Sequence, residues 1–161
     1  MVNIILHCSD SEFGNAAEIE KWHLERGWSG IGYHYVILNG WISPGIYNRH
    51  FNGHIETGRP LDHDPFVTKK EIGAHVKGFN TGSVGVCLIG KSGQFSDEQL
   101  NSTLCCINLL SEQFGEVKIL QHSDLDPEKP FCAGLNMAEI KNNYEIYLEI
   151  IGRTSDDDRK I

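Results

Sequence analysis

No apolar run in this chain approaches the ~20 residues that a membrane span requires. The N-terminus, Met1-Val2-Asn3-Ile4-Ile5-Leu6-His7, has no basic n-region and no small-residue cleavage site, so it does not read as a signal peptide. Cytoplasmic synthesis is the expectation, and any role beyond the membrane needs another export route. Positive charge is scarce as well: 14 Lys and Arg stand against 22 Asp and Glu, for a formal charge of −8. A nucleic-acid binder, which needs a basic face to neutralise phosphates, is excluded, and nothing attracts the chain to an anionic membrane. Short catalytic signatures are missing too: there is no C-x-x-C, no H-E-x-x-H and no G-x-S-x-G. The five cysteines, Cys8, Cys87, Cys105, Cys106 and Cys132, are odd in number, which argues against a disulfide framework in a reducing compartment.

What is present is the pattern of one α/β domain. The 161 residues suit one core, with an ordinary 40% hydrophobic and 22% charged content. Val2 to Cys8 is a near-continuous apolar run, as expected of a strand buried on both faces. Asn15, with Glu18 three residues on, caps a helix that ends near Arg26 and Gly27, with Ile19, Trp22 and Leu24 on its apolar face. Asn39-Gly40 lies between two β-rich runs and predicts a tight hairpin turn. Residues 44–80 show no clear periodicity and read as a long loop forming the wall of a groove.

Val84 to Ile89 reads as another buried strand. Ser96 and Gln99 form a capping box before a helix with a Leu100, Leu104, Ile107, Leu110, Phe114 stripe. Cys87, Cys105 and Cys106 read as small buried residues. Val117 to Leu120 is the last strand. Asn136 and Glu139 cap the final helix, whose apolar face is Met137, Ile140, Tyr144, Tyr147, Leu148 and Ile151. The order predicts a mixed central β-sheet flanked by helices in a single domain, residues 1–151, with a flexible charged tail, 152–161.

The chemistry concentrates after the last strand. His122 and Cys132 share one loop, and imidazole and thiolate are ligand types that zinc prefers. The third candidate is His7, at the end of the first strand. Should the two strands be neighbours, His7, His122 and Cys132 converge, leaving a fourth zinc position open for water, as in hydrolytic sites. Lys129 on the same loop can stabilise an oxyanion, or be a solvated lysine. Tyr33 can donate a hydrogen bond or help move a proton, or be a half-buried strand tyrosine. His34, His50, His54, His63 and His75 form a second, looser group whose spacings match no metal motif; His75 reads more naturally as lining the groove.

Several blocks together resemble a family. They are Ile5-Leu6-His7-Cys8-Ser9, Trp22-His23 with Gly27-Trp28, Gly32-Tyr33-His34-Tyr35, Gly73-Ala74-His75-Val76-Lys77-Gly78-Phe79-Asn80, Ser83 to Gly90, and His122…Lys129…Cys132. In that order they resemble the zinc-dependent N-acetylmuramoyl-L-alanine amidases of type 2, related to peptidoglycan recognition proteins and similar to the small phage amidase lysozymes. The resemblance implies a peptidoglycan-binding groove and cleavage of the amide between N-acetylmuramic acid and L-alanine. By motif position it implies His7, His122 and Cys132 as Zn2+ ligands, Tyr33 and Lys129 as catalytic groups, and His34 and His75 near the substrate groove. One departure stands out: Lys129 precedes Cys132 by three residues rather than two. The expected role is that of a phage or prophage endolysin acting in the periplasm or cell wall. The alternatives are a cytosolic amidase recycling soluble anhydro-muropeptides, or a non-catalytic recognition module, whose members typically lack the cysteine. A protein partner is possible and undetermined.

Overall fold

Strand β1, Val2–Cys8, is the axis of the sheet in this computed structural model, which describes residues 1–152. It pairs in parallel with β4, Ser83–Leu88, on one side and with β5, Val117–Gln121, on the other. Hydrogen-bonded neighbours on both edges and packing on both faces explain why its run is nearly continuously apolar. Strand β2, Tyr35–Ser43, runs parallel to β4 and antiparallel to β3, Ile46–Thr57. The sheet order is β3-β2-β4-β1-β5. The mixed sheet and single domain agree with the expectation. The tail assigned to 152–161 lies, beyond Gly152, outside the described residues.

Among the described residues three helices cover the sheet: α1, Ala16–Glu25; α2, Asp97–Phe114; and α3, Met137–Ile150. Their starts are the expected ones. The Asn15 side chain accepts from the Glu18 N–H, Ser96 and Gln99 complete a reciprocal capping box, and Asn136 accepts from the Glu139 N–H. Alternation along the strands sorts residues onto two faces. Ile4, Leu6, Ile37, Val84, Val86 and Leu88 pack with Leu104, Ile107, Leu110, Ile140 and Tyr144 of α2 and α3. Val36, Leu38, Cys87 and Ile89 face the other way, with Ile19 of α1 and Ile31. Cys106 is also buried, while Cys105 is only half-buried.

Several expectations need correction. The hairpin exists, but its turn is at Pro44 and Gly45, not at Asn39-Gly40. Gly40 does take a positive φ of 86°, which is what that dipeptide favours, but it does so within an irregularity in the pairing of β2 with β3. A Cβ there would lie 2.5 Å from the Tyr47 ring. Residues 46–57, read as loop, form β3; its largely exposed, polar surface as an edge strand hid the alternation. On α1 the second buried residue is His23, one turn after Ile19, while Leu24 is exposed. On α3 Ile151 is exposed, because the helix ends at Ile150.

Candidate active site

The carboxyl ends of β1 and β5 open into a groove of about 790 Å³, within the usual size of a ligand site. His7, the penultimate residue of β1, lies on the face of Val36 and Cys87. His122 begins the 3-10 turn His122–Asp124 directly after β5. The loop then folds back on itself: the Lys129 N–H donates to the Asp126 carbonyl, and the Cys132 N–H donates to the Lys129 carbonyl at 3.2 Å. The Ser123 N–H donates to the Cys132 carbonyl at 2.6 Å, tying the two ligand-bearing segments together. The extra residue between Lys129 and Cys132 is absorbed in that turn.

The three donors meet. His7 Nδ1 lies 3.1 Å from His122 Nδ1 and 4.0 Å from Cys132 Sγ, and one donor atom from each of the three residues lies within 4.8 Å of the others. Tetrahedral zinc with N and S ligands at ~2.0–2.3 Å needs donors at about this separation, so the residues fit a metal ion. Among the described residues this is the grouping with metal-ligand geometry. His50, His54 and His63 are exposed and join no such grouping.

Surrounding groups hold the ligands. His7 Nε2 lies 3.1 Å from His75 Nδ1. His122 Nε2 is buried without a hydrogen-bond partner, and Asp126 Oδ2 stands 3.5 Å from it; a carboxylate behind a histidine in a metal site orients the ring. Cys132 Sγ accepts from the Cys8 N–H at 3.4 Å. Burial, followed by the neighbouring histidines, holds His7 well below the usual imidazole range. Burial does the same to His122, against the pull of Asp126, and takes His75 down to about 3. All three rings therefore present lone pairs at neutral pH, as a metal requires. The hydrogen bond between Cys8 and Cys132 lowers Cys8 to about 7, and the same contact with burial raises Cys132.

Tyr33 lines the groove with its ring 5.1 Å from that of His7. Burial first, then the thiols around it, raise its pKa, so it is a phenol that donates rather than a base. Lys129 also lines the groove, exposed, close enough for its charge to act on His122. His75 lines the groove, but His34 does not. His34 is buried and bonded at both ring nitrogens to backbone: the Gly85 N–H donates to Nδ1 at 2.9 Å, and Nε2 meets the Glu71 carbonyl at 2.8 Å. Arg26, Asp10 and Asp126 also line the groove and were given no role from sequence. Trp28 and His23 entered only within a family block, without a role; Trp28 lines the groove, and His23 Nδ1 accepts from the Gly32 N–H at 3.0 Å beside Tyr33.

The sequence profile of the family described as N-acetylmuramoyl-L-alanine amidase matches residues 2–132. The chain belongs to that family. The matched span contains every ligand candidate and both catalytic candidates, and the protein is an N-acetylmuramoyl-L-alanine amidase. An endolysin of Klebsiella phage KP32 is 30% identical over 135 residues, covering 78% of this chain and 76% of the relative. The endolysin of Enterobacteria phage K11 is 29% identical over 133 residues, 76% and 75% of the two chains. Among solved structures, the endolysin amidase LysCS from Clostridium intestinale URNW superposes with a TM-score of 0.69 at 25% identity, covering 88% of this chain and 81% of that one. Drosophila PGRP-LB gives 0.64 at 25% identity, covering 86% and 78%. The amidase thus shares its fold with both phage lysins and peptidoglycan recognition proteins.

Proposed function

We propose that this amidase is zinc-dependent and works as a phage endolysin, cleaving the amide that joins N-acetylmuramic acid to L-alanine in peptidoglycan. The observation that carries the reading is the convergence of His7, His122 and Cys132 in a groove at the sheet's carboxyl end. Zinc bound by these three residues supplies a Lewis acid at neutral pH. The chain's own groups do the rest. Tyr33 and Lys129 both line the groove, and their phenol and ammonium are the groups to donate to the oxygen on which charge develops as the amide carbonyl becomes tetrahedral. Asp126 behind His122 and His75 behind His7 keep the two rings oriented. Trp28 and Phe131, both exposed at the groove, offer apolar surface to the sugar and lactyl portions of the substrate.

The test is digestion of purified peptidoglycan by the zinc-loaded protein, with and without chelator, following new alanine amino groups and new reducing ends. Chelator-sensitive alanine amines are the expected product. New reducing ends would instead make the protein a glycosidase and overturn the reading. Intact sacculus compared with soluble anhydro-muropeptide distinguishes lysis from recycling, and the endolysin reading expects preference for the sacculus.

A further inference from the structure

The hydrogen bonds behind His7 run in one direction only, and a backbone carbonyl sets it. Ser83 Oγ lies 3.0 Å from the Asn80 carbonyl oxygen. A carbonyl accepts and cannot donate, so the single hydroxyl proton of Ser83 is committed there. The same Oγ lies 3.3 Å from His75 Nε2, and with its proton already placed it must accept, which puts the ring proton of His75 on Nε2. A neutral imidazole carries one N–H, so His75 Nδ1 is bare. That atom is 3.1 Å from His7 Nε2 and must accept from it. His7 therefore carries its proton on Nε2. Its lone pair is on Nδ1, the atom 3.1 Å from His122 Nδ1 and 4.0 Å from Cys132 Sγ.

We infer that Ser83 and His75 form a relay that selects the metal-binding tautomer of His7, with Asn80 as its anchor. This rests on the zinc-amidase reading. His7 and Ser83 are fully buried and His75 is 7% exposed, so bulk water is not at hand to supply a different donor. Asn80 serves the relay twice. Its carbonyl takes the Ser83 proton, and its side-chain Oδ1 accepts from the His75 and Val76 N–H groups, each at 2.9 Å. Gly85 makes room: a Cβ there would come within 2.7 Å of the His75 ring. His34, next to His75 with ring centroids 5.8 Å apart, bonds only to backbone and does not extend the chain toward the metal. His75 and Ser83 are thus positioning residues, one and two hydrogen bonds behind His7.

The test joins two measurements. Ring-nitrogen NMR on the metal-free wild-type protein reads the tautomer of His7 directly, and proton occupancy on Nε2 is expected. Zinc affinity is then measured by competition with a chelator in wild type, Ser83→Ala, Ser83→Thr and His75→Phe, with circular dichroism to verify the fold. Affinity is expected to fall about 10- to 100-fold in Ser83→Ala and in His75→Phe, as for other groups supporting a metal ligand, and to recover in Ser83→Thr, which restores the hydroxyl. A His7 proton on Nδ1, or wild-type affinity in both Ser83→Ala and His75→Phe, overturns the relay. If wild-type protein takes up no zinc, the functional reading fails, and the ring-nitrogen assignment alone decides the direction of the relay.

Discussion

The two faces of the central strands do different work, although they are made of alternating residues of the same chain. On one face β1 and β4 present Ile4 and Leu6, Val84, Val86 and Leu88, buried under α2 and α3. On the other they present Ile5 and His7, Ser83, Gly85 and Cys87, so that polar and small residues stand beside the second aliphatic cluster. The first face is apolar from end to end and holds the fold together. The second gives up apolar area for histidines, a hydroxyl and a glycine, and each buried polar atom must then find a partner. The histidine network is the result: the ligand bonds His75, His75 bonds Ser83, and His34 bonds backbone. A catalytic face is affordable because the opposite one is not interrupted.

Substitutions should separate the two faces. The largest effect is expected at Cys132→Ser, which should abolish zinc retention and activity together, as read by metal analysis after gel filtration and by alanine release; an active, zinc-replete variant would mean that another ligand holds the metal. Next is Lys129→Ala. It should lower kcat by roughly 100- to 1,000-fold with zinc still bound, the usual loss for an oxyanion donor, and full activity would remove Lys129 from the mechanism. On the apolar face, Ile107→Ala should destabilise the fold by about 2–5 kcal/mol through transfer and cavity terms, measured by urea unfolding, while zinc affinity of the folded protein stays at the wild-type value. A parallel loss of affinity would show that the faces are coupled.

The smallest effect is a pH slope. Burial holds His75 at about 3 and His23 and His34 at about 4 in the folded state, against ~6.5 when unfolded. The unfolded chain then binds protons that the folded chain refuses. The stability involved is fully present above pH 6.5 and is lost as the pH falls toward these lower values, by about 1.4 kcal/mol per pH unit for each such histidine. Urea unfolding of the metal-free protein at pH 7.5, 6 and 5 should show that decline. Ile107→Ala should shift the curve downward without changing its slope, since it acts on the face that has no histidine.

Much of this was legible before any coordinates. Element order, capping residues and the α2 stripe follow from local rules that act within four residues. The convergence of His7, His122 and Cys132 was legible because imidazole and thiol donors stand at or after strand ends, where parallel strands deliver them to one edge. Strand β3 was not, because an edge strand with a polar outer surface has little alternation to read. Asn39-Gly40 signals positive φ, and both a hairpin turn and a pairing irregularity use it, so the dipeptide alone could not place the turn. Asp126 behind His122 and Ser83 behind His75 depend on distances between segments that no periodicity encodes. The resemblance put His34 and His75 into one class. Only their hydrogen-bond partners separate a ring that braces the backbone from a ring that braces a ligand.

His7 and Cys132 are 125 residues apart, and a metal held between them, as proposed, would link distant parts of the chain. Neither the first strand nor the last loop contains enough donors alone, so a chain still missing its last thirty residues has no site to fill. An ion gripped by both segments would act as a clasp between them. The long loop it would close removes more freedom from the unfolded chain than a local clip would. Adding the ion should then raise the unfolding free energy of a chain that already folds without it.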